Sequence, residues 1–329
     1  MGGGTIGHCR AGTAMRACSL AVGAVVSAYA APSSQAAEAD WTLPPPSVSS
    51  QASAPAIAAP ADADAFTNFL AAWAARAQQV RANQPAWSSP LVTTTGMLEQ
   101  RFRFDAADQR AGNGADTRVI DGGRGLDLIV SDSNEIQIAS PPYDLRSTPS
   151  GKGAFTGFGD WAFARVKQQL ASSPASGDNY FVTVWLQVQA PTGVAPLTNN
   201  AWTYLPTFAF GEGWGDFDIQ ATIGGVLPAS HVATLGDQIQ TNVALQYHLW
   251  TILWPEFEVN WTHFVGGQRG GLDQVFLTPG LVLGRFPLGN GVLFTTGFGY
   301  QFAVSPHFQP NPLTPVYNHA VLITSRFNF

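Results

Sequence analysis

Glu256, Glu258 and Asn260 occupy alternate positions of one segment, and Gln246 and His248 do the same in the segment before it. Carboxylates at this spacing could bind a cation, but holding Ca²⁺ would take further oxygen ligands from elsewhere in the chain. No His-x-x-x-His pair or cysteine cluster is present, so neither a metal nor a cofactor is expected. His231, His263 and His307, with Ser230 beside His231, raise a hydrolase reading. Without a G-x-S-x-G elbow that reading is the weaker alternative, and the chain is not expected to be an enzyme. Asp121-Gly122-Gly123-Arg124-Gly125 lacks the Lys-Ser/Thr of a phosphate-binding loop. The net charge is −6 and there is no basic patch, so no nucleic-acid partner is expected.

A two-residue period puts side chains on one face of a strand. Ile239, Thr241, Val243, Leu245, Tyr247 and Leu249 interleave with Gln238, Gln240, Asn242, Gln246 and His248. Phe257, Val259 and Trp261 interleave with Glu256, Glu258 and Asn260. The pattern recurs at 179–190 and 291–304, and in the closing run Tyr317 to Phe329, with Leu322 as the exception. Strands are expected at 91–104, 123–130, 135–142, 158–170, 179–190, 202–211, 216–226, 237–250, 255–264, 273–285, 291–304 and 316–329, about twelve in all. In the first, Val92, Leu98, Phe102 and Phe104 oppose Glu99, Arg101 and Arg103. Alternation is weak at 158–170, where Trp161 and Phe163 share parity with Arg165 and Lys167. Pro279 removes a ladder donor in mid-strand, which predicts a bulge or bend there.

Composition decides what such strands face. Only 12% of the residues are charged, against 45% hydrophobic. A soluble chain carries about 25% charged residues. Past residue 32 no run reaches the roughly 18 apolar residues that a spanning helix needs. A closed antiparallel up-and-down β-barrel is then the membrane-compatible fold, since it satisfies every backbone group between strands. Alternate connections are short, as at 131–134, 212–215, 251–254 and 286–290, with 171–178 somewhat longer. The others are mostly longer, as at 105–122, 144–157, 191–201 and 305–315. Bacterial outer-membrane barrels show this asymmetry, with short turns facing the periplasm. Trp214, Trp250, Trp254, Phe286 and Phe329 fall at the short-turn end, as an interfacial girdle would. Phe327 and Phe329 close the last strand, and the terminal ring is the expected handle for the barrel-assembly machinery.

Arg10 and Arg16 precede an apolar stretch from Ala17 to Ala31, the pattern of a signal peptide over 1–37. Cleavage signatures end at Ala30 and at Ala37. Both cysteines, Cys9 and Cys18, would leave with it, so no disulfide is expected. Residues 38–63 read as a Pro/Ala-rich linker. Residues 64–88 read as an amphipathic helix and its lead-in, with Phe66, Phe69, Leu70, Trp73, Ala77 and Val80 on one face. The helix could pack on the periplasmic rim, enter the lumen, or stay poorly anchored. The barrel would occupy 89–329.

Several segments of the barrel region carry a resemblance. They are Gly213-Trp214-Gly215-Asp216-Phe217-Asp218-Ile219-Gln220, Gln246-Tyr247-His248, Trp254-Pro255-Glu256-Phe257-Glu258-Val259-Asn260, Gln274-Val275-Phe276-Leu277-Thr278-Pro279-Gly280 and Ser325-Arg326-Phe327-Asn328-Phe329. In these the chain resembles a family of outer-membrane transporters named for the MetA pathway of phenol degradation. The resemblance implies a barrel that admits aromatic or related hydrophobic compounds.

With the apolar parity outward, Glu99, Arg101, Arg103, Gln240, Asn242, Gln246, His248, Glu256, Glu258, Asn260, Gln301 and Arg326 would line the lumen. Arg165 and Lys167 would join them. Such a track either sets pore selectivity or forms a charge network that plugs and stiffens a narrow barrel. Glu256 and Glu258 would then serve cation preference or lumen rigidity. The expected function is passive uptake of small solutes across the outer membrane, with lipid and the solutes as partners. The alternative is a non-conducting structural or adhesive barrel.

Overall fold

The computed structural model describes residues 61–112, 114–122, 124–147, 154–305 and 317–329. The expected signal peptide at 1–37, nearly all of the linker at 38–63, and His307 lie outside the described residues. Helix α1, Ala61–Ala82, opens the described chain. Its apolar positions do not act as one face. Ala77 and Val80 are buried with Leu98 and Ile129, while Phe66, Phe69 and Leu70 are exposed. Trp73 donates its indole N–H to the Ile129 carbonyl at 2.7 Å and Arg76 donates to Val130, so the later half of the helix sits on one turn of the barrel rim.

The strand segments are β1 Arg101–Arg110, β2 Asp116–Ile120, β3 Gly125–Ile129, β4 Asn134–Ala139, β5 Tyr143–Ser147, β6 Ala154–Phe158, β7 Trp161–Ser173 and β8 Tyr180–Ala190. There follow β9 Thr203–Trp214, β10 Phe217–Pro228, β11 Gln238–Tyr247, β12 Leu253–Phe264, β13 Asp273–Gly289, β14 Val292–Ser305 and β15 His319–Asn328. All neighbours pair antiparallel, and β15 pairs back onto β1 from Arg101↔Asn328 to Arg110↔His319, which closes the sheet. Three staves are each built of two segments. β1 pairs first with β3 and then with β2, β4 and β5 share the next position, and β7 and β6 the one after. The result is a 12-strand barrel.

The alternation expresses itself as two faces. Val166, Leu170, Ile223, Phe298 and Ile323 are among the exposed outward residues, and Lys167, Gln220, Gln246, Glu258 and Arg326 are buried inside. The weak alternation of β7 has a specific cause. Register shifts between Trp161 and Ala164 and between Gln169 and Ala171 insert residues into the strand. Arg165 and Lys167 therefore point inward although their parity matches that of the two upstream rings.

Four expectations are corrected. Residues 91–100 are not strand; β1 begins at Arg101. The connections expected at 105–122 and 144–157 are largely paired segments, β1–β2 and β5–β6. Residues 105–110 of β1 and the segments β2, β5 and β6 are half-buried or exposed rather than alternating with buried positions, so no two-residue period marks them. No bulge forms at Pro279. Leu277↔Phe302 and Gly280↔Gly299 keep one register, and the shifts in this pair fall at Val275/Phe276, Gly284/Phe286 and Pro287/Gly289. Finally, Trp254 is not in an outer girdle. It shares the parity of Glu256 and Glu258 and is 1% exposed, inside the barrel.

Candidate functional site: a strap across the lumen

Between α1 and β1, residues 83–100 cross the interior of the barrel. This strap contains Pro85, Pro90 and Gly96 and pairs with no strand. Its backbone groups bond instead to inward side chains of the wall, as buried backbone must. Glu256 accepts the Leu91 amide at 2.9 Å. Glu258 accepts two successive amides, Val92 at 2.7 Å and Thr93 at 2.6 Å, one on each oxygen. Glu135 accepts the Glu99 amide at 2.6 Å.

The strap carbonyls meet cations and neutral donors. Arg326 donates to the carbonyls of Ser89 and Pro90, and Arg103 to those of Pro90 and Leu91. Arg124 reaches Val92 at 3.1 Å, Lys167 reaches Met97 at 3.1 Å, and Thr183 reaches Gly96 at 2.6 Å. Gln220 donates to Ser88 at 2.8 Å, and Arg285 donates to Ala86 and Trp87. Within the strap, Gln84 and Leu98 exchange two bonds that staple its ends together.

Packing matches the polar bonds. Leu91 sits with Trp254 and Val282 in a socket whose floor is glycine. A Cβ at Gly280, Gly297 or Gly299 would lie 2.4, 2.9 or 2.7 Å from the Leu91 side chain. Trp87 packs on Phe181 with ring centroids 5.8 Å apart, beside Gly211 and Gly213. The wall is thinned where the strap is bulky.

Most charges in this layer are paired. Arg101 bonds Asp127 at 2.8 Å and Glu99 more closely. Asp105 holds Arg103 at 2.8 Å and Arg124 at 2.9 Å, and Glu135 holds Lys167 at 2.9 Å. Burying such groups is costly unless each is paired and hydrogen-bonded. Outside the strands, Arg81 ties the helix to the rim through the carbonyls of Gln100 and Phe329. Burial lowers the Arg81 guanidinium below its ordinary value, and Glu99 acts in the opposite sense.

The candidate residues separate into groups. Glu99 lies on the strap, not on the wall, bonded to Ser89 and Arg101. Arg101, Arg103, Lys167, Gln246, Glu256, Glu258 and Arg326 form the layer around the strap, Gln246 donating to Glu256 at 2.5 Å. Arg165 stands above it, donating to Thr94. Gln240, Asn242, Asn260 and Gln301 line a separate space on the long-loop side. His248 belongs to neither group and stacks 4.6 Å from Trp254, the ring of the Leu91 socket. Trp214, stacked on Phe217, and Trp250 are exposed, Phe327 packs on Phe294, and Phe329 is exposed at the same end. Sequence reasoning missed Glu135, Arg124 and Leu91 as contact residues. Glu135 was legible as one of two polar residues alternating with Ile136 and Ile138, while Arg124 was hidden in a glycine-rich turn.

The strap divides the interior. A cavity of ≈ 240 Å³ lies on the short-turn side, bounded by Arg81, Arg285 and Asn328 among others. Another, of ≈ 270 Å³, lies on the long-loop side, with Val92 and Thr94 of the strap in its lining.

No known family matches the chain, and no curated protein matches it. Among solved structures, it is similar to an outer membrane channel from Pseudomonas putida F1, at 12% identity and a TM-score of 0.45, over 69% of this chain and 92% of that one. It is also similar to the NanC porin, at 8% identity and a TM-score of 0.42, over 69% and 98% of the two chains. The KdgM porin gives 7% identity and a TM-score of 0.38, over 69% and 99%.

Proposed function

We propose that this protein is a bacterial outer-membrane channel for small solutes, held closed by its own residues 83–100. The observation that carries the reading is the interior itself. A barrel with an apolar outside encloses cavities on both sides of the strap, and the strap is bound by wall side chains rather than by strand pairing. A segment that takes no part in the ladder can leave the lumen without unfolding the barrel, whose strand pairing closes without it. The short-turn end then faces the periplasm, where α1 and the last strand end meet. Passage is passive. The resemblance to the phenol-degradation transporters suggests aromatic or related hydrophobic solutes, and the polar residues Gln187, Gln240 and Thr262 among the rings of the long-loop cavity favour a hydroxylated solute over a bare ring.

The density of buried strap bonds also favours the second reading, a barrel that never conducts. Planar-bilayer recording separates the two. In the mature chain, rare or small current steps are expected. With Glu256→Ala and Glu258→Ala together the strap is unlatched, and frequent, larger steps are expected. Silence from both proteins, with the variant still folded by heat-modifiable migration, supports the structural barrel and removes the channel.

A further inference from the structure

The cavity of ≈ 270 Å³ on the long-loop side has no charged residue in its lining, although an adjoining cavity that shares Val92, Gln301 and Tyr317 with it is lined by Asp105 and Arg124. This is unusual in a barrel whose next layer down is built of arginines, a lysine and carboxylates. Most of those charges are consumed by each other and by the strap backbone, and the nearest, Arg165, stands behind Thr94 and Trp185 rather than in the lining. A carboxylate, phosphate or ammonium entering this space would shed water and find no counter-charge on its walls, which is costly.

The walls offer neutral donors and acceptors in fixed positions. Asn242 donates to Thr222 at 3.1 Å and accepts from Asn260 at 3.0 Å. Asn260 accepts in turn from Thr278 and Gln301, and Tyr317 donates to Gln301. This chain runs around the wall across β10, β11, β12, β13 and β14 and ends on Tyr317, two residues before β15. It sets which amide edge is which, because each donor is already committed to a direction. Four more polar side chains line the same space, Gln187, Thr207, Gln240 and Thr262, and none has a protein partner among the described residues. Trp185 and Phe276 supply apolar faces between them.

We propose that this vestibule binds an uncharged, polyhydroxylated solute of monosaccharide size, with Gln187, Thr207, Gln240 and Thr262 as its direct partners and the Asn242–Asn260–Gln301 chain as the fixed wall. The volume of ≈ 270 Å³ lies at the small end for ligand sites and favours a single ring over an oligomer. A site built to hydrogen-bond hydroxyls leaves its polar groups unpaired when the ligand lacks them, so it discriminates against a bare aromatic ring. The inference rests on the channel reading for its meaning, as the solute's waiting place above the strap. Its test does not depend on conductance.

Saturation-transfer NMR on the full mature chain in detergent would use D-glucose, sodium gluconate and phenol as probes. Glucose should give a saturable signal, while gluconate and phenol give much weaker ones. Gln240→Leu and Thr262→Val, neither of which breaks a wall bond, should each weaken glucose binding about threefold or more. Asn260→Leu should abolish it, with heat-modifiable migration as the check on folding. Gluconate binding as well as glucose, phenol binding in its place, or no binding by any probe would overturn the proposal. So would glucose binding unchanged in Gln240→Leu and Thr262→Val. A failure here alongside current steps in bilayers removes the solute class and leaves the channel standing.

Discussion

Glu258 caps two consecutive amides of a segment that makes no ladder of its own. The geometry is that of a carboxylate at a helix N-terminus, transferred to an extended strap. Each buried amide left without an acceptor costs about 1–3 kcal/mol. Glu258→Ala should therefore loosen the strap, and Glu258→Gln, which keeps one acceptor oxygen, should loosen it less. Hydrogen-exchange mass spectrometry reads this directly. Peptides covering 91–100 should gain exchange in the order Ala, Gln, wild type, while β11 to β15 stay protected. Equal protection in all three would show that the carboxylate does not hold the strap. Leu91 gives the apolar counterpart. Gly280→Val drives a side chain into the space its methyl groups occupy, and overpacking of this kind costs about 1–3 kcal/mol. Adding Leu91→Ala should recover most of that loss in thermal unfolding, because the two residues share one volume. Additive effects would mean that the socket relaxes by another route.

Helix α1 shows how one element can be half-anchored. Its later turns bury Ala77 and Val80 on Leu98 and Ile129, and Trp73 and Arg76 bond the turn at Ile129 and Val130. Its earlier turns leave three large apolar residues exposed. The amphipathic spacing therefore located the helix but not how much of its apolar surface is covered. Ala77→Asp puts a carboxylate into the buried apolar contact with Leu98 and Ile129. The helix should detach. Limited proteolysis should then cut within 61–82 faster than in wild type, with the barrel fragment intact. An unchanged cleavage rate would mean that Arg81, through Gln100 and Phe329, is the stronger tether. The bulges of β7 make a related point. One inserted residue at Trp161–Ala164 turned Arg165 and Lys167 inward, and the sequence carried this only as a lapse in alternation.

For the molecule as a whole, the channel reading requires the outward face to meet hydrocarbon. Ile323 is 53% exposed on β15, midway along its pairing with β14. A lysine on a lipid face costs about 2–4 kcal/mol near the bilayer midplane. Ile323→Lys should lower the folded yield in lipid vesicles, whereas Ala154→Lys, at the loop end of the β5–β6 hairpin, should not. Equal yields would place Ile323 outside the membrane and shift the whole belt.

Period-two patterning is local, so the alternation around Gln246, Glu258 and Gln301 was enough to foretell a barrel, its strand number and which face of most strands is polar. Charge deficit and turn asymmetry are likewise properties of the chain read in one dimension. Occupation of the lumen is not. Residues 91–100 alternate as a strand would, yet their partners are Glu256 and Glu258, 165 and 166 positions away. A carboxylate that accepts backbone amides leaves no mark distinguishing it from one that faces water. Likewise the glycines at 280, 297 and 299 read as an ordinary polar-side alternation until Leu91 is seen above them. Closing the sheet brought these residues around one axis, and that juxtaposition turned a list of polar positions into a strapped interior with a neutral vestibule.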